Sequence, residues 1–412
     1  MKVFVFASCQ KTFNYLRNVH DALKSSGHQS FFFHTLNNDT TGPPYGYDAW
    51  VHDGYVPEEG APVSESLGIH LPFIPDYLIV ARDRWNPELT VIQEFKAKWN
   101  TKVGLVEINT NLYTAIEIQM EMLSRKKQGN EFIDINFDHS EHSLNMKKKH
   151  IEWDGWDKSV IVGNPYWDKF EESKLRDVAV EAYKVDKNKT QILIFSECNV
   201  TRPEFLQNIQ YFARNLNRDK YQLYFKPYPA EPWHHLFQHQ YKKNEDGSID
   251  FFLKDLFDGI IYQQIDLIPM MNLCEYHIAN ISSVNYGSVL MGKQLVSMDN
   301  VTNFLNKCTD LDIFKSNLEG VGESWKSNFW MRVHELKDEK EFENMVTDNL
   351  EDYKNINNKF KKDLFEYAHH FDVFGNFLNK NKKESKSLLK YYDDFGDGNS
   401  AKRIVENLEK IA

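Results

Sequence analysis

"QILIFS", residues Gln191 to Ser196, is a continuous apolar run closed by one hydroxyl residue. A strand covered by helices on both faces reads this way, because a parallel sheet leaves neither face in water. The run restarts a pattern the chain has already used. "KVFVFA" (Lys2 to Ala7) is the same kind of run, followed by a helical stretch, Phe13 to Ser26, that stops at Gly27, a helix C-cap. Between the two runs lie "HQSFFFH" (His28 to His34), "DYLIVA" (Asp76 to Ala81), "KVGLVEI" (Lys102 to Ile108) and "FIDINF" (Phe132 to Phe137), all strand candidates. Beyond Ser196 come "YQLYFKPYP" (Tyr221 to Pro229), "YHIANIS" (Tyr276 to Ser282) and "LVSM" (Leu295 to Met298). "VGNPYWD" separates the two series, and its Gly163-Asn164-Pro165 suits a linker.

Strands alternating with helical stretches imply parallel, doubly wound sheets. The expected fold class is therefore α/β, with two Rossmann-like doubly wound domains, a deep cleft between them and helices at the C-terminal end. The boundaries expected are 1–163, 164–375 and a helical 376–412, with the last hundred residues mainly helical. Ligands of such sheets sit at the carboxyl ends of the strands, which directs attention to the residues that follow each run.

Composition narrows the function classes. The chain has 412 residues, 41% hydrophobic and 14% aromatic, as in a folded globular protein. Its net charge of −11 disfavours nucleic acid as a partner. Cys9, Cys198, Cys274 and Cys308 are scattered without a CxxC pair, so they read as free thiols rather than disulfides or a zinc site. No apolar run approaches the roughly 20 residues of a membrane span. The expected location is cytoplasmic, or peripheral at the inner membrane surface, with no transmembrane segment.

Five stretches, taken in order, resemble the glycosyltransferase-B (GT-B) superfamily. Its nearest branches are the non-hydrolysing UDP-N-acetylglucosamine 2-epimerases and the CDP-glycerol glycerophosphotransferases with the capsule transferases. The stretches are "VIVGNPYWDKF", "LIFSECNVTRPEFLQNI", "KPYP", "ISSVNYGSVLMGKQLV" and "FGDGNSAKRIVENL", between Val160 and Leu408. The resemblance implies an N-terminal acceptor-side domain, a C-terminal donor domain and C-terminal helices packing back toward the first. It also implies a nucleotide-sugar as substrate, no separate cofactor, and a glycan or related acceptor.

The resemblance places the donor diphosphate at Ser282 and Ser283, where first-turn N–H groups are unpaired and the dipole favours an anion. The alternative is that Ser282 only caps a helix. The branches carry acids shortly after this turn, where the chain has Tyr286 and Gly287, and Tyr286 is counted with the donor-binding residues. That departure weighs against epimerisation. Lys226 of "KPYP" and Arg202 in the loop after "LIFS" are expected to meet donor phosphates. Their alternatives are a surface lysine before a proline turn and an Arg202–Glu204 pair.

Inverting sugar transfer needs a base for the acceptor hydroxyl. Glu107 and Asp83 both follow strand candidates of the first series, and Glu107 is preferred, since an acid directly ending a buried strand is otherwise costly. A capping or ion-paired role is the alternative for either. "FDHSEHS" spaces His139 and His142 three apart, but without a third ligand it reads as a helix start with Ser140 and Asp138 as caps. No metal is expected. The function expected is metal-independent transfer of a sugar from a nucleotide-sugar to a glycan or related acceptor. The alternatives are a CDP-polyol phosphotransferase, a nucleotide-sugar 2-epimerase, and a non-catalytic nucleotide- or glycan-binding scaffold.

Overall fold

The computed structural model describes residues 1–7, 10–34, 63–64, 69–81, 88–108, 132–150, 153–170, 173–195, 209, 211–226, 256–261, 267–279, 284–297, 359, 362–363, 366–367, 369–371, 377–378 and 386–411. In chain order the first half contains β1 (Lys2–Ala7), α1 (Gln10–Ser25), β2 (Gln29–His34), β3 (Val63–Ser64), β4 (Ile69–His70), β5 (Tyr77–Val80), α2 (Glu88–Trp99), β6 (Lys102–Val106), β7 (Ile135–Asp138), α3 (Glu141–His150) and β8 (Ser159–Ile161). Six of these strands form one sheet in the order β2-β1-β5-β6-β7-β8, every pair parallel. Strands β3 and β4 pair separately as an antiparallel ladder.

The sheet is buried on both sides, as its apolar runs require. Successive side chains of β1 point to opposite faces. Phe4 and Phe6 meet Phe31 and the α2 residues Val91, Ile92 and Phe95 on one face. Val3 and Val5 meet Phe13, Leu16, Val19 and Leu23 of α1 on the other.

The second half contains α4 (Ser173–Ala182), β9 (Thr190–Phe195), β10 (Tyr221–Lys226), β11 (Gly259–Ile260), α5 (Leu267–Leu273), β12 (Tyr276–Ile278), α6 (Val284–Leu290), β13 (Gln294–Ser297), β14 (His369–Phe371), β15 (Phe377–Leu378), α7 (Lys386–Tyr392) and α8 (Ser400–Ile411). A second sheet runs β11-β10-β9-β12-β13-β14-β15, parallel except for the β14–β15 pair. The strand β14 departs from the helical reading of the C-terminal hundred residues. It is three residues long, too short to carry a periodicity of its own, and its place is set by pairing with β13.

Helix α8 leaves the second sheet and returns to the first. Ala401, Ile404, Val405 and Leu408 fall on one helical face and enter the cluster that holds Val3, Val5 and the apolar face of α1. Its first turn is capped across the linker: the Asp168 carboxylate accepts the Ser400 N–H at 3.0 Å and the Ala401 N–H at 2.5 Å. Gly163 makes the crossing possible. Its φ of +93° suits glycine, and a Cβ there would stand 2.6 Å from Ser400 Oγ and 2.9 Å from Asp393 Oδ1.

Candidate functional site

The carboxyl edge of the first sheet gathers buried charge. Glu107 follows the last residue of β6, and its N–H donates to the Phe137 carbonyl at 3.0 Å, so it continues the ladder with β7. Asp138 ends β7, and His139 and Ser140 lead into α3, where Ser140 Oγ accepts the Ser143 N–H at 3.0 Å as a cap. From α3, Lys147 sends its ammonium back to the strand ends. It lies 2.7 Å from Asp138 Oδ2 and 3.5 Å from Glu107 Oε2. Lys147, Asp138 and His139 are fully buried and Glu107 is 4% exposed.

Burial opposes charge on Asp138, but Lys147 above all holds its carboxyl below the ordinary carboxylate value. Burial pushes the His139 imidazolium down to about 4, while Asp138 and the nearby Glu107 backbone work against that shift. The ring is therefore neutral at pH 7. Neither ring nitrogen has a hydrogen-bond partner of normal geometry among the described residues. Tyr15 of α1 stacks on the ring with centroids 5.9 Å apart, and its hydroxyl donates to the Ile108 carbonyl at 3.0 Å. His142 points elsewhere and meets Tyr391 edge-on at 4.6 Å. The two histidines thus serve different contacts. Among the described residues no three His, Cys, Asp or Glu side chains are grouped to hold a metal ion.

The second sheet meets this edge through an aromatic wall. Tyr286 in α6 is 1% exposed and donates its hydroxyl to Asp393 Oδ2 at 2.7 Å. Burial first, and then the Asp393 charge, raise its phenol well above the ordinary value. The same Asp393 oxygen accepts the Asn164 N–H of the linker at 3.0 Å, while Oδ1 accepts from the N–H groups of Phe395 and Gly396. The next residue touches the first sheet: the Asp394 N–H donates to the His139 carbonyl at 3.4 Å, and its carboxylate accepts the Glu141 N–H at 2.7 Å. One turn therefore ties the linker, α6 and the end of β7 together.

That packing explains the acids the chain lacks. Tyr286 fills the core between Trp167 and Tyr392, with ring centroids 5.9 and 5.3 Å away. A Cβ at Gly287 would lie 2.4 Å from the Trp167 ring, so position 287 admits no carboxylate side chain with Trp167 in place. Lys226 is the last residue of β10, opposite Phe195 of β9, and is 6% exposed. Asp83, Arg202, Ser282 and Ser283 lie outside the described residues. Sequence reasoning missed Lys147 and Asp393. "MKKKH" looks like a solvated face, and "YYDDFGDG" has several acids with nothing to single one out.

Among solved structures, UDP-GlcNAc 2-epimerase from Neisseria meningitidis bound to UDP-GlcNAc is similar over 100% of both chains, at 14% identity and a TM-score of 0.51. The S. aureus MnaA–UDP co-structure is similar over 100% of this chain and 97% of its own, at 12% identity and 0.51. The wall teichoic acid polymerase TagF matches 99% of this chain and 88% of its own, at 10% identity and 0.51. The fold is glycosyltransferase-B. No family model matches the chain, and no curated protein matches its sequence. The likeness therefore lies in the arrangement of two parallel sheets. Among the described residues of this GT-B chain, no helix is long and apolar enough to cross a membrane.

Proposed function

We propose that the chain transfers a sugar from a nucleotide-sugar to a glycan or related acceptor. The observation that carries the reading is a charged residue at the carboxyl edge of each sheet: the acid Glu107 directly follows β6 of the first, and the cation Lys226 ends β10 of the second. In a GT-B fold these carboxyl ends are where ligands sit. Two of the three neighbours, the Neisseria and S. aureus proteins, hold UDP-GlcNAc and UDP, which favours the nucleotide-sugar class.

In the proposed step Glu107 accepts the proton of the acceptor hydroxyl. The freed oxygen forms a bond to the anomeric carbon as the bond from that carbon to the diphosphate breaks, with inversion. The departing nucleoside diphosphate keeps the electron pair and is stabilised by Lys226 and by the amides at Ser282 and Ser283. Charge neutralisation then comes from the chain itself and not from a metal ion. The packing of Tyr286 and Gly287 leaves no acid where the epimerase branch has one, which favours transfer over epimerisation.

A thermal-shift screen with UDP, CDP, GDP and CMP reads out the base. A ligand at 100 times its Kd adds about 2.7 kcal/mol of stability. Release of UDP from UDP-GlcNAc is then followed with and without oligosaccharide acceptors, in EDTA. Acceptor-dependent release supports the reading. A 2-epimer product, a strict Mg²⁺ or Mn²⁺ requirement, or binding without turnover would each replace it.

A further inference from the structure

Lys147 is the one fully buried lysine among the described core side chains, and the proposed step does not yet use it. A buried ammonium needs one compensating charge, and Asp138 at 2.7 Å supplies it. The second carboxylate, Glu107 at 3.5 Å, exceeds what that pair requires. The geometry around the ammonium is fixed from both sides. Ser140 caps α3 two turns before Lys147, and Asp138 is itself held by the His139 N–H at 2.9 Å. Lys147 is thus a rigid post between two strand ends, and Glu107 leans on it from the side of β6.

We propose that Lys147 is a positioning residue that holds the Glu107 carboxylate at the carboxyl edge of the first sheet for the acceptor step. The proposal rests on the reading of Glu107 as the base. The contact does not require Lys147 to touch donor or acceptor.

Replacing Lys147 alone would strand Asp138 in the core, so the test removes the pair together as D138N/K147M. Buried ion pairs tolerate joint replacement far better than loss of one partner. Crystal structures of the variant and the parent report the place of Glu107. UDP release from UDP-GlcNAc reports kcat and KM, and calorimetry with UDP reports Kd.

The expected result is a Glu107 side chain turned away from its strand-end position, with kcat lowered by up to about 100-fold. KM and the Kd for UDP stay within about twofold, since the contact acts on the chemical step. K147R, which keeps the cation, retains more of the turnover than D138N/K147M. Glu107 unmoved with kcat unchanged would overturn the proposal. Glu107 displaced while both D138N/K147M and E107Q keep full kcat would instead overturn the base assignment and leave the positioning contact standing.

Discussion

The two sheets share a parallel design but finish their carboxyl edges in opposite ways. At the first, two acids, a lysine and a neutral histidine are packed out of water behind Tyr15. At the second, around α6, Tyr286, Trp167 and Tyr392 close the space, and one buried acid, Asp393, accepts the Tyr286 hydroxyl. Charge held in a core is costly unless it is compensated. Aromatic packing needs no such compensation and gives rigidity directly. The contrast teaches that the first edge holds compensated charge, while the region around α6 is where the two halves are fastened.

The largest effect that could break this contrast is catalytic. Glu107→Gln keeps the shape of the first edge and removes its basic group, so kcat should fall by about 10² to 10⁴-fold. Nucleotide affinity, measured by calorimetry, should hold. Loss of the melting transition without a specific loss of kcat would make both edges structural.

Acid comes next. His139 and His277 are fully buried, and burial lowers them to about 4 and about 3. Each is uncharged in the fold but takes a proton near pH 6.5 once unfolded. A lowered folded value means that the unfolded chain gains protons first, so stability falls as pH drops below about 6.5 toward 4. The loss from His139 should approach about 3 kcal/mol at the lower limit. Denaturant melts at pH 7, 5.5 and 4.5 measure it, and His139→Phe should flatten the decline.

The second edge has its own test. Gly287→Ala pushes a methyl into the Trp167 ring and should cost about 1 to 3 kcal/mol by overpacking, read from the urea midpoint. Unchanged stability would mean that Trp167 gives way and the wall is soft. The last test concerns binding. Lys226→Ala should weaken UDP by roughly 1 to 3 kcal/mol if a charged contact is lost. Unchanged titration heats and affinity would leave Lys226 a structural end to β10.

Much of the fold was legible because two-sided burial writes itself as apolar runs. "KVFVFA" and "QILIFS" overlie β1 and β9 almost residue for residue. Several short strands were not legible, although three-residue β12 lies within "YHIANIS". β8, β14 and β15 hold three, three and two residues, and only pairing with a neighbour defines them. At the first edge, Glu107 stands out in the sequence because an acid directly after an apolar run is conspicuous. Lys147 does not, since its neighbours Lys148 and Lys149 are identical in kind and burial is decided by strands far away in sequence. Tyr286 shows the converse. Its position was singled out by resemblance, while its contacts, to Asp393 and Trp167, come from segments on either side of it in sequence.

The return of α8 to the first sheet also bears on how the protein is made. When β1, α1 and β2 leave the ribosome, the stripe of α1 that will receive Ile404 and Leu408 has no cover. At about 5 to 20 residues per second, the wait for α8 is roughly 20 to 80 s. Until then the apolar stripe of α1 stays open to water. The Lys102–Ile411 and His28–Glu409 contacts form only once α8 has followed, joining segments 309 and 381 residues apart.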